Sequence, residues 1–162
     1  MYNVLVDSDA LIKIPKAGFL HEITRNFKAS ITEDVHEEAV REGKSRLYQD
    51  ADKIQDFVSQ KKIIVIAANA YKRNKTPKKP FGKGETSLFQ AYGKGKIIVT
   101  DDLSFIACLR EEGMKWLSSP HLIIALVKGK SISRQKALYY ADRLKPYIRK
   151  DVYEAVKNDI GE

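Results

Sequence analysis

Four acidic residues stand where their chemistry would be shared. Asp7 closes the apolar run Val4-Leu5-Val6, and Asp102 follows a second run, Ile97-Ile98-Val99-Thr100. Glu38 and Glu85 fall on segments with helical apolar spacing. Glu38 comes three residues after Val35 and shares its side, and Glu85 precedes Leu88 and Phe89 by three and four residues. A carboxylate on a buried edge is costly to desolvate unless something positive balances it. Acids gathered from distant parts of a chain repel one another unless a cation is bound. Oxygen-only ligands favour hard ions, Mg²⁺ or Mn²⁺. In an open α/β sheet such ligands collect outside the carboxyl ends of the strands, so the pattern predicts a divalent-metal site. Glu37 and Glu42 are expected to point to water.

The elements that must position these acids alternate. Strands are predicted over Tyr2 to Val6, Ala29 to Ile31, Ile63 to Ala67, Lys96 to Thr100 and Met114 to Leu117. Helices are predicted over Ser8 to Ile14, broken by Pro15; over Gly18 to Phe27; from the N-cap Thr32 to a stop at Gly43; and over Ser45 to Gln60, with Leu47, Ala51, Ile54 and Val58 on one stripe. Further helices are predicted over Gly84 to Tyr92 and Asp102 to Glu112. Three more finish the chain: Pro120 to Val127, Ser133 to Leu144 and Arg149 to Ile160. This alternation implies a three-layer α/β/α sandwich with a mostly parallel central sheet. The chain reads as one domain, residues 1–162, with helices from about 119 to 162 packed on it.

With 162 residues, 43% hydrophobic and 31% charged, the chain has material for one substantial core and is not a disordered polymer. The single cysteine, Cys108, cannot form an internal disulfide, which points to a reducing, cytoplasmic setting. The first residues lack the features of a signal peptide, and no apolar run has the length of a membrane helix. The balance of 29 Lys+Arg against 21 Asp+Glu gives +8. A basic chain that keeps an acidic cluster suits a polyanionic substrate handled by bound metal; a Lys-rich solvated surface is the plainer alternative.

The ordered set Val4-Leu5-Val6-Asp7-Ser8-Asp9-Ala10-Leu11-Ile12, Thr32-x-x-Val35-x-x-Glu38, Gly84-Glu85 and Ile98-Val99-Thr100-Asp101-Asp102 resembles the PIN-domain nuclease family, including the VapC-type toxin ribonucleases of toxin–antitoxin pairs. The resemblance spans nearly the whole chain. It implies a ribonuclease in which Asp7, Glu38, Glu85 and Asp102 bind or orient Mg²⁺ or Mn²⁺. Asp9 becomes an additional candidate ligand, and Asp101 an alternative to Asp102, which is favoured because it completes Thr-x-Asp. Ser8 and Thr100 would supply hydroxyls near metal-bound water or phosphate. RNA as substrate, an antitoxin protein and a second copy of the chain as candidate partners also come from this resemblance.

Two other readings compete. Asp7-Ser8-Asp9 also looks like the Asp-x-Asp start of haloacid-dehalogenase-type phosphatases, in which the first Asp is a covalent nucleophile, but that leaves Glu38 and Glu85 unexplained. A catalytically silent PIN-like module binding RNA or protein is the other. Between Tyr71 and Lys83 lie six basic residues, Lys72, Arg73, Lys75, Lys78, Lys79 and Lys83, and no acids. Ending beside Gly84-Glu85, this loop is a candidate track for RNA phosphates, with Tyr71 and Phe81 available to stack on unpaired bases. His21, His36 and His121 share no ligand-like spacing, and His36 is expected to be exposed. Cys108 reads as a small core residue.

Overall fold

Short β-branched runs bounded by helix caps form a sheet in which every pairing is parallel. A computed structural model describes residues 1–45, 49–71 and 73–161. Among them the strands β1 (Asn3–Val6), β2 (Lys28–Thr32), β3 (Ile63–Ile66), β4 (Lys96–Val99) and β5 (Trp116–Leu117) run in the order β3-β2-β1-β4-β5. In register, β1 pairs Val6 with Val99 of β4 and Leu5 with Ser30 of β2.

Helices make the crossovers. α1 (Ser8–Ala17) and α2 (Leu20–Asn26) lead from β1 to β2. α3 (Glu33–His36), a π-helical turn Glu37–Arg41, α4 (Glu42–Ser45) and α5 (Gln49–Ser59) lead to β3. α6 (Lys83–Ala91) precedes β4, and α7 (Leu103–Glu111) leads to β5. By the right-handed crossover rule, α1 to α5 cover one face and α6 and α7 the other. α8 (Ser119–Lys128), α9 (Arg134–Leu144) and α10 (Lys150–Gly161) follow, with α8 and α9 packed on α1. Lys136 Nζ, 2.7 Å from Glu22 Oε1, ties α9 to α2. No described helix is long and apolar enough to cross a membrane.

The expected α/β architecture with a helical C-terminal region is present, and three local expectations need correction. Pro15 does not end α1. The ring forfeits only the bond its nitrogen would have made to Leu11, and the helix runs one more turn to Gly18, whose φ of +88° closes it with bonds to Ile14 and Pro15 carbonyls. Gly43 does not stop its helix, which continues to Ser45 through the π turn, where the Glu42 N–H donates to the Glu37 carbonyl. The strand expected from Met114 is only Trp116–Leu117. The expected stripe residue Leu47 lies outside the described residues.

Candidate active site at the switch point of the sheet

The chain passes from β1 to β2 and β3 on one side, then returns across to β4 on the other side of β1. A crevice therefore opens between the carboxyl ends of β1 and β4, the usual ligand position in such sheets. Asp7 sits at its centre, its amide donating to the Val99 carbonyl at 2.9 Å. Its Oδ1 caps α1 by accepting the Ala10 N–H at 2.8 Å, and its Oδ2 accepts a short hydrogen bond from the Thr100 hydroxyl. Asp7 is only 4% exposed. Burial pushes its carboxyl up to about 7, although the bonds from Thr100 and Ala10 pull the other way; repulsion from Asp101 and Asp9 adds to the rise.

Glu38 is half-buried within the π turn, a feature frequent at functional sites. Its Oε2 accepts the Ser8 hydroxyl at 2.8 Å and its Oε1 the Gly84 N–H at 3.0 Å. Gly84 is required by this approach: a β-carbon there would lie 2.7 Å from Glu38 Oε2. The fit of the elements is fixed by Thr32, which caps α3 through the Val35 N–H and pairs with the Ser87 hydroxyl of α6 at 2.5 Å. Glu37 is exposed, as expected, and pairs with Arg41.

The other acids divide. Glu85 is half-buried at the start of α6, its carboxylate resting against Gly82, where a β-carbon would come within 2.9 Å of Oε2. Asp102 is exposed and caps α7 through the Phe105 N–H at 2.8 Å, while its own amide donates to Thr100 Oγ1. Asp101 is bound through its two oxygens to the Ser119 amide and hydroxyl, at 2.8 and 2.6 Å. Lys13 Nζ lies between Asp101, at 3.4 Å, and the exposed Asp9, at 2.8 Å. Partial burial is the largest influence on Lys13 and lowers its pKa, but the hydrogen bonds it donates to these acids, with their charges, leave the pKa raised.

Asp7, Asp101, Asp9 and Lys13 thus form one charged group, and Glu38, Ser8 and Gly84 a second. The peptide between Asp7 and Ser8 joins them. Thr100 connects Asp7 to Asp102, and Gly84 connects Glu38 to Glu85. Among the described residues no three His, Cys, Asp or Glu side chains converge as a ready-made ion site. Lys13 and Ser119 are the further residues that the fold brings to these acids. The i,i+4 pair of Asp9 and Lys13 is a readable signal, whereas Ser119 meets Asp101 only through the fold.

The basic loop wraps α6 rather than standing free over the crevice. Tyr71 gives its hydroxyl to Asp34 at 3.2 Å, the Arg73 guanidinium lies 4.6 Å over the Phe89 ring, and Lys75 pairs with Glu112. Phe81 packs edge-on against Phe105 at 5.3 Å. Tyr71 and Phe81, expected as stacking platforms, are therefore both half-buried in protein contacts. Lys83, on the first turn of α6, adjoins Gly84 and Glu85. Lys72 lies outside the described residues. His36, expected to be exposed, is half-buried and pairs with Gln55 at 2.9 Å. Cys108 is half-buried, and burial pushes its thiol up, in keeping with a packing role.

A family model described as PIN domain matches residues 3–162. No curated protein matches the chain.

Proposed function

We propose that this chain, which belongs to the PIN-domain family, is a divalent-metal-dependent endoribonuclease served by Asp7, Glu38, Glu85 and Asp102. PIN domains are generally nucleases that use divalent metals, and a nuclease acts on nucleic acid. The observation that carries the finer reading is Asp7: a nearly inaccessible carboxylate beside two further acids is a group that a cation would stabilise. The donors within reach of this crevice are carboxylates and the hydroxyls of Ser8 and Thr100, an all-oxygen set that fits Mg²⁺ or Mn²⁺. Because no three acids converge among the described residues, binding requires at least one to exchange its present hydrogen bond for the ion. Glu38, half-buried and held by two neutral donors, is suited to that exchange.

When bound, such an ion polarises the phosphodiester and lowers the pKa of the water that attacks it. The chain's own residues supply position and charge. Thr100 and Ala10 hold both Asp7 oxygens, so the carboxylate is preorganised. Ser8 stands between Asp7 and Glu38 with a hydroxyl that can turn to a phosphate oxygen. Lys13 offers an ammonium on the same crevice for charge-assisted contact with the strand. The phosphatase reading loses its ground, since the family match spans the chain and Asp9 is exposed in a pair with Lys13.

The test is metal-dependent cleavage of single-stranded RNA. Asp7→Asn, Glu38→Gln, Glu85→Gln and Asp102→Asn should each remove it while the protein stays folded, and Glu37→Gln should not. A folded Asp7→Asn protein with full activity would sink the assignment. In the cell we propose a toxin role: induced expression should arrest growth in an Asp7-dependent way, and a co-expressed antitoxin protein should relieve it.

A further inference from the structure

We propose that the cleft beside Lys13 and Asp101 receives one unpaired base of an RNA strand whose backbone lies at the acids. The inference rests on the ribonuclease reading and adds a base-recognition site to it. Between α7, β5 and α10 lies a cavity of about 340 Å³, at the low end of the roughly 300–1,000 Å³ of ligand pockets. Lys13 and Asp101 are part of its lining, so it adjoins the charged group around Asp7. The rest of its lining is mostly apolar and aromatic, with Ile106, Val152, Trp116 and Tyr147. Trp116 is held in place by Arg110, 5.1 Å over its ring, and by the tilted His121 ring at 6.1 Å. Tyr147 remains 42% exposed, and Leu103, also on the lining, 61%.

The chemistry of the cleft selects its occupant. An apolar peptide side chain would gain from the walls but would set bare hydrocarbon against the Lys13–Asp101 ion pair on the lining. A nucleobase has apolar faces for the walls and hydrogen-bonding edges for Lys13 and Asp101. It is also covalently joined to a phosphate, which Lys13 can meet and which Arg149, on the lining, can meet by exchanging its pair with the exposed Asp151. A base in this cleft would fix which phosphodiester reaches the acids, so the cleft would set sequence preference.

Trp116 is the only tryptophan of the chain, so intrinsic emission reports on this wall directly. The full-length Asp7→Asn protein is titrated with a single-stranded oligoribonucleotide and with an abasic version of the same length. The base-containing strand should change Trp116 emission. The abasic strand should leave it unchanged and bind roughly 5- to 100-fold more weakly. Ala155 is an exposed lining residue, so Ala155→Phe should fill the cleft without disturbing the core; Tyr147→Ala is the second variant. Both should weaken binding of the base-containing strand and leave stabilisation by Mn²⁺ alone unchanged. Equal affinities for the two strands, or saturation without any emission change, would overturn the proposal, as would an apolar peptide that shifts Trp116 where RNA does not. If the wild type fails to cleave RNA with metal present while the base-dependent emission change persists, the nuclease reading falls and the base site stands.

Discussion

Replacing Asp7 by Asn should make the protein more stable and inactive, with the gain depending on pH. The Asp7 carboxyl titrates near 7 in the folded chain against an ordinary 3.8, because burial disfavours its charged form. Above pH 3.8 the unfolded chain gives up this proton, and the folded chain keeps it until about pH 7. Folding therefore weakens as pH rises through that window, by about 1.4 kcal/mol per unit, and the loss is complete above pH 7. The full cost is about 4 kcal/mol. Asn carries no charge, and its side chain can still cap α1 through the Ala10 N–H and meet the Thr100 hydroxyl. Urea unfolding in EDTA should therefore give nearly equal stabilities for wild type and Asp7→Asn at pH 4. At pH 8 the variant should lead by up to about 4 kcal/mol, equivalent to roughly 8–16 °C in Tm. A variant that is no more stable at pH 8, or a gap that does not grow between pH 4 and 7, would refute a buried, ionisation-strained Asp7.

Metal should recover part of this free energy in the wild type. Mn²⁺ at about 100 times its Kd should add roughly 2.7 kcal/mol, with a smaller gain in Asp7→Asn, and melting temperatures that do not respond to millimolar Mn²⁺ or EDTA would count against the site. Gly84→Ala should keep the fold but expel the Glu38 carboxylate, since a β-carbon would meet its oxygens at 2.7 and 2.9 Å; cleavage should fall sharply, and wild-type activity would mean that Glu38 is not needed where it stands. For the basic loop, Lys78→Ala with Lys79→Ala should make the salt dependence of RNA binding shallower by roughly 0.7 in log–log slope for each phosphate the loop no longer neutralises. Lys75→Ala should do less, because Lys75 is already paired with Glu112, and an unchanged slope in the double variant would place the strand elsewhere.

What is legible in the sequence follows from periodicity. Asp7 and Asp102 stand out because strand ends show as breaks in apolar runs, and Glu38 because its offset from Val35 puts it on the inner side. The π turn is not legible, since an insertion of one residue per turn leaves no mark in a sequence that α-helical spacing also satisfies from Val35 to Ala39. The choice between Asp101 and Asp102 also cannot be made locally. Thr-x-Asp favours Asp102, yet that side chain caps α7, while Asp101 is fixed from 18 residues away by Ser119 at the start of α8. The reach of the basic loop depends on Glu112 and Phe89, which meet it only once the chain has folded.

That both strand-end acids are helix caps bears on why such a site can fold at all. α1 and α7 begin at Asp7 and Asp102, and α6 begins beside Glu38 and Glu85, so three helix N-termini face the crevice from which the acids emerge. Each N-terminus offers a carboxylate about 0.3–1 kcal/mol. Together with the capping bonds, this lets the chain close around the acids without an ion. The roughly 4 kcal/mol that ionising Asp7 costs is what remains after the bonds from Ala10 and Thr100 have acted. That cost is left in the folded protein as an attraction for positive charge. Lys13 has already met Asp9 and Asp101, so the charge still wanting at Asp7 is one that a divalent cation, and the strand it brings, would supply.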